Sequence, residues 1–126
     1  MFTSLFARVK GETELALAAM RKANPKFQVD SLRPAMVDYS AHKSLGPYMP
    51  AQGMVMGATL AVLGPVVRTA WRGMASPTEP LGRFLAECAM GKYQGRFQGK
   101  GMAKVGDSGM TIVENTGFRR LAGLDG

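Results

Sequence analysis

The sequence predicts a helix-rich α/β protein with about two parallel strands, Phe27–Leu32 and Met110–Val113, and three to four helices. Three observations carry that prediction. Apolar residues recur at helical spacing near both the start and the middle of the chain. Two short β-rich runs lie roughly eighty residues apart. Between them runs a long stretch of helical character, and strands joined by such a crossover pair in parallel with a right-handed connection. At 126 residues and 46% hydrophobic content, the chain is long enough to fold as one packed domain spanning 1–126.

The first helix is predicted from Ser4, a capping residue, to Asn24-Pro25, where Pro excludes helical geometry from the residue before it. Phe6, Val9, Thr13, Leu17 and Met20 form its apolar stripe, and Arg8–Glu12 and Lys10–Glu14 are spaced as ion pairs one turn apart. Phe6 and Lys10 also project from one side. Taken alone, that pair reads as packing plus a solvated ammonium.

Phe27 to Leu32 alternates like a strand and ends at Arg33-Pro34, where Pro removes a ladder donor. Pro34 to His42 then forms a loop off the strand's carboxyl end, the place where open α/β sheets bind ligands. His42 stands there by itself and reads as incidental. From Ser44 to Val67 there is no charged residue, which raises the question of a membrane span flanked by Arg68 and Arg72. Repeated Pro and Gly leave only Gln52–Leu63 as a convincing helix, shorter than the roughly 20 residues a bilayer needs. The Gly53-x-x-x-Gly57 spacing fits close packing of a buried helix. Val66–Trp71 reads as a separate helical piece.

Ser76 to Pro80 reads as a loop and cap, with Thr78 capping and Pro80 in the first turn of the next helix. That helix carries Leu81, Phe84, Leu85 and Cys88 on one face and ends near Gly91. Cys88 on the apolar stripe is expected to be an inert thiol. Lys92 to Lys104 mixes basic, aromatic and glycine residues. The composition suits stacking on single-stranded nucleic acid, but a surface loop tacked down by its aromatics is the preferred reading. Met110 to Glu114 is the second strand, followed by a turn and a short closing helix over 115–124.

The formal net charge of +7 favours polyanionic partners without choosing among them. One cysteine excludes an internal disulfide and fits a reducing, cytoplasmic compartment, and one His with one Cys is too few ligands for a Cys/His zinc site. Glu12 and Glu14 come too early for a transit peptide.

Phe6-Ala-Arg-Val-Lys10-Gly11-Glu12, Ser31-Leu32-Arg33-Pro34-Ala35-Met36, Ser76-Pro77-Thr78-Glu79-Pro80 and Gly117-Phe118-Arg119-Arg120-Leu121 follow one another in an order that resembles the carboxy-terminal half of the short-chain dehydrogenase/reductase superfamily. The likeness is to extended and atypical, fungal-type members described as nucleoside-diphosphate-sugar epimerases or NAD(P)-dependent oxidoreductases. It implies an incomplete Rossmann-like unit with NAD or NADP as cofactor. Lys10 then matches the catalytic lysine, Phe6 stands where the family has its proton-donating tyrosine, and Arg33, Pro34, Ala35 and Met36 line the nicotinamide side. The glycine-rich phosphate loop has no counterpart before Leu5, so the resemblance implies a chain that is not catalytically complete and pairs with a missing amino-terminal half or with itself. Two other functions are consistent with the residues. One is a non-catalytic interaction or subunit protein using an open sheet edge. The other is a basic binder of nucleic acid or membrane surfaces.

Overall fold

A computed structural model of the chain describes residues 2–48, 54–70 and 72–125. The chain is mixed α/β. Helix α1 (Phe2–Ala23) leads into β1 (Ser31–Arg33) and β2 (Met36–Asp38). A 3-10 segment over Lys43–Tyr48 precedes α2 (Met54–Ala70), followed by a 3-10 turn, β3 (Ala75–Pro77) and α3 (Thr78–Ala89). Strands β4 (Met102–Lys104) and β5 (Thr111–Glu114) and helix α4 (Asn115–Leu121) close the fold.

The two expected strands pair in parallel, with Ser31 opposite Ile112 and Arg33 opposite Glu114. Strand β4 adds to the other side of β5 in antiparallel fashion, giving the order β1-β5-β4. A separate parallel pair joins β2 to β3. The segments holding β2, β3 and β4 were expected to be loops. Three residues each is too short for alternation to register in the sequence, and Pro34 and Pro77 flank or enter them. Pro34 nevertheless does end β1, and the expected span Phe27–Leu32 shortens to Ser31–Arg33, the segment before it being tied to Arg21 of α1. Arg21 Nη1 donates to the Val29 carbonyl at 2.6 Å, and Nη2 donates to Gln28 Oε1 at 2.9 Å.

Helix α1 begins at Phe2, so Ser4 lies within it and is no cap. Its inward face is Gly11, Glu14, Ala18 and Arg21, spaced at 3, 4 and 3 residues; of the expected apolar stripe Leu17 is half-buried, while Phe6 is 73% exposed and Val9 52%. Helix α2 runs unbroken through Gly64-Pro65, where two pieces were expected, and where a buried helix was expected Val62 is 71% exposed. The start expected at Gln52, the Gly53 of the glycine pair and Trp71 lie outside the described residues. Helix α3 forms as expected, with Pro80 in its first turn and Leu81 and Phe84 buried, while Leu85 of the expected face is 50% exposed and Cys88 half-buried. Its N-cap is Pro77, so Thr78 is the first helical residue and its hydroxyl is hydrogen-bonded to His42 Nδ1 at 2.8 Å.

The core lies in the second half of the chain. Leu81, Phe84, Tyr93, Val113 and Phe118 pack together, with Leu32, Phe97, Met102 and Leu121 around them. Phe84 meets Tyr93 at 4.8 Å and, edge to face, Phe118 at 5.3 Å. Strand β4 reaches this core across a glycine contact. Gly101, at φ +79°, lies against the backbone of Gly117, and its carbonyl accepts from Glu114 N–H at 2.9 Å. A side chain on either glycine would separate β4 from α4.

Candidate functional site

Glu14 is the anchor of α1. It is 94% buried, and its carboxylate accepts from Ser31 Oγ at 2.8 Å, from Arg33 Nε at 3.0 Å and from Arg33 Nη2. The Arg33 hydrogen bonds hold the Glu14 pKa below its ordinary value against the opposing effect of burial, with help from Ser31. This clamp uses both the carboxylate expected to pair with Lys10 and the arginine expected beside a nicotinamide. Lys10 is exposed, as is Phe6 one turn before it, so the two residues stand on the open side of α1. Pro34 and Met36 are half-buried and Ala35 is exposed; the Ala35 N–H donates to Ser76 Oγ at 3.1 Å.

Behind the β2–β3 pair lies a second polar knot. The buried Ser76 hydroxyl donates to Asn115 Oδ1 at 2.6 Å, and Asn115 Nδ2 donates to the Gly73 carbonyl at 2.5 Å. Arg119, also buried, donates to the Ala75 carbonyl at 2.8 Å and pairs with Asp125 at 2.7 Å. These groups satisfy one another and fasten α4 to β3.

A third cluster surrounds Glu87 on α3. Lys92 Nζ donates to it at 2.7 Å, Tyr93 Oη at 2.8 Å and Arg83 Nε at 3.1 Å. Those three donors bring its pKa down to about 2. Burial and the hydrogen bond to Glu87 raise the Tyr93 pKa. Tyr93 is 4% exposed, and Lys92 and Arg96 lie against its ring at 5.7 and 5.6 Å. The basic–aromatic segment is therefore tacked to the body by its tyrosine. A cleft of about 380 Å³ opens beside this cluster, between Arg83, Lys92 and the turn at 121–124.

A larger cleft of about 560 Å³ lies between the end of α1, the end of α3 and the β4–β5 strands. Arg21, Asp30, Cys88, Phe97, Lys104 and Thr111 line it. Asp30 Oδ1 accepts from Thr111 N–H at 2.8 Å and from Arg21 at 3.1 Å, which fixes this wall. Burial, with the Asp30 and Glu87 charges, pushes the Cys88 thiol up to about 11, in keeping with the inert thiol expected of it. Among the described residues no three His, Cys, Asp or Glu side chains are grouped to hold a metal ion. No helix among them is long and apolar enough to cross a membrane.

The remaining surface feature is apolar. Leu5, Phe6 and Val9 share one face of α1 at 3- and 4-residue spacing, all more than half exposed, and Val62 and Leu63 project from α2. Neither surface was anticipated, because helical spacing had assigned both helices to the interior.

Over 123 residues the chain is 44% identical to Botcinic acid biosynthesis cluster B protein 16 of Botryotinia fuckeliana (strain B05.10), a match covering 98% of this chain and 77% of that protein. The chain belongs to that protein's family. No protein-family model matches it, and no solved structure does. These findings overturn the short-chain dehydrogenase/reductase resemblance, since the likeness that extends over nearly the whole chain is to the cluster B protein. Each motif behind that resemblance was short, and the residues have other work in the fold: Arg33 clamps Glu14, and Ser76 and Phe118 are buried structural groups. The roles assigned to Lys10, Phe6, Arg33, Pro34, Ala35 and Met36, and the expectation of NAD or NADP, came from the resemblance and lose that support.

Proposed function

We propose that the chain is a small non-catalytic accessory protein of small-molecule biosynthesis, and that it works by docking onto an acidic protein partner through the exposed apolar faces of α1 and α2. The biosynthetic setting follows the name of its relative. The observation that carries the docking role is the contrast in burial. Phe6 and Val62 are 73% and 71% exposed, while Phe84 and Phe118 are at most 1% exposed. Large apolar side chains grouped in the open mark interaction surfaces. The net charge of +7 selects an acidic partner, because a second copy would bring like charge to the same seam. Edge pairing is the weaker alternative, since the outer strands β1 and β4 offer three residues each. A reducing cytoplasmic setting suits the free thiol of Cys88.

Sedimentation velocity of the chain alone, and mixed with each enzyme encoded beside it, tests this reading. The expected result is a monomer alone and a faster-sedimenting complex with an acidic enzyme. That complex should weaken in high salt and be lost in Phe6→Glu and Val62→Glu. A stable homodimer, or a complex indifferent to both substitutions, sinks it.

A further inference from the structure

We propose that the 560 Å³ cleft is a binding site for a small organic monocarboxylate that also carries an apolar or aromatic portion. The cleft lies at the opposite end of α1 from the docking face. Val9 and Arg21 are twelve residues apart, about 18 Å of helix, so this site stands independently of the docking reading.

Its volume falls within the range of small-ligand pockets, roughly 300–1,000 Å³. The cationic wall is built from Arg21 and Lys104. Arg21 is held in place rather than swinging in solvent: its Nη1 donates to the Val29 carbonyl and to Asp30, and its Nη2 to Gln28. A guanidinium has about five N–H donors, so roughly two are left for a ligand in a fork whose position is already set. Such preorganisation lowers the ordering cost of binding. Lys104, exposed on β4, adds a second cation to the lining.

Asp30 sets the charge of the ligand. Its carboxylate sits in the same cleft, leaving the two cations with one net positive charge. A single carboxylate balances that charge. A dianionic phosphate would place its second negative charge against Asp30. The half-buried Phe97 offers the apolar portion of a ligand a surface, and Gln94 and Gln98 offer amides to its further oxygens. Cys88, its thiol pushed up to about 11 by burial, is a neutral part of the wall.

Salicylate, its neutral counterpart salicylamide, and inorganic phosphate are the probes, titrated separately into the purified ¹⁵N-labelled chain and followed by amide NMR. Salicylate is expected to shift Gln98, Gly109 and Thr111 saturably. Salicylamide should bind about tenfold more weakly, the scale of one charge-assisted hydrogen bond, and phosphate more weakly than salicylate. Lys104→Ala should weaken salicylate by a similar factor while leaving the rest of the spectrum unchanged, because Lys104 is exposed. Equal binding of acid and amide, phosphate binding as tight as salicylate, shifts that map elsewhere, or no shift at millimolar ligand would each overturn the proposal.

Discussion

Helices α1 and α3 look alike as sequence and differ as structure. Both carry large apolar side chains at 3- and 4-residue intervals. On α3 the face through Leu81 and Phe84 is covered by Tyr93 and Phe118. On α1 the face through Leu5, Phe6 and Val9 is open, and the helix is held instead by the Glu14 carboxylate and the small Ala18. Periodicity states which side chains share a face. It does not state what covers that face, and here a polar clamp decided which side of α1 turned inward.

Truncating one exposed and one buried aromatic tests this contrast most severely. Phe118→Ala removes a ring with no exposed surface and should cost about 3–5 kcal/mol in urea denaturation, whereas Phe6→Ala should change stability by less than about 0.5 kcal/mol. Comparable losses would mean that Phe6 is covered and that α1 packs as α3 does. Next in size is Gly101→Ala. A methyl there needs φ +79° and meets the Gly117 backbone, so a loss of about 2–4 kcal/mol is expected, combining backbone strain with overpacking. A neutral result would show that β4 can separate from α4 without disturbing the core.

Glu14→Gln addresses the clamp itself. Arg33 is partly exposed, so solvent screens the pair, and the expected loss is about 1–2 kcal/mol at neutral pH. The sign with pH follows from the depressed pKa. The contribution is present above the unfolded carboxyl value and is lost as pH falls through the folded one, so the gap between Glu14→Gln and the parent chain should close in acid. Glu87→Gln sharpens the contrast from the α3 side. With a folded pKa of about 2, Glu87 contributes fully above about pH 4.5 and loses its contribution between there and pH 2. The parent's advantage over each variant should therefore shrink as pH falls below about 4.5, and an advantage over Glu87→Gln that persists undiminished to pH 2 would contradict the assignment.

Much of this fold was legible in the residues. Pro34 closed β1, Pro80 opened α3, and the separation of the two β-rich runs implied the parallel β1–β5 pair that forms. The three-residue strands β2, β3 and β4 left no alternation to read. Helix α2 was split on paper at Gly64-Pro65 because Pro lacks an N–H and clashes with the preceding turn, yet the helix continues through it. The clamp was hidden for a related reason: Glu14 has Lys10 one turn away, and nothing local reveals that Arg33 and Ser31, brought by β1, take it instead. The dehydrogenase resemblance failed in the same way. It read Phe6, Lys10 and Arg33 as one site from their order, while the fold sends Arg33 to Glu14 and leaves Phe6 and Lys10 on the open side of α1.

The smallest expected effect on stability is also the most informative about the open helices. Val62→Asp replaces a side chain that is 71% exposed on α2, so no core contact is lost and the unfolding free energy should change by less than about 0.5 kcal/mol. Core aromatics such as Phe84 admit no such exchange. Through its exposed apolar face the parent chain should bind the dye ANS while folded. Val62→Asp with Leu63→Asp should reduce that fluorescence at unchanged stability, because a charge on each residue wets the patch without touching the packed half. A sharp fall in stability would place α2 in the interior and remove the surface on which docking depends. Unchanged fluorescence at unchanged stability would locate the dye-binding apolar surface elsewhere, with α1 as the next face to charge.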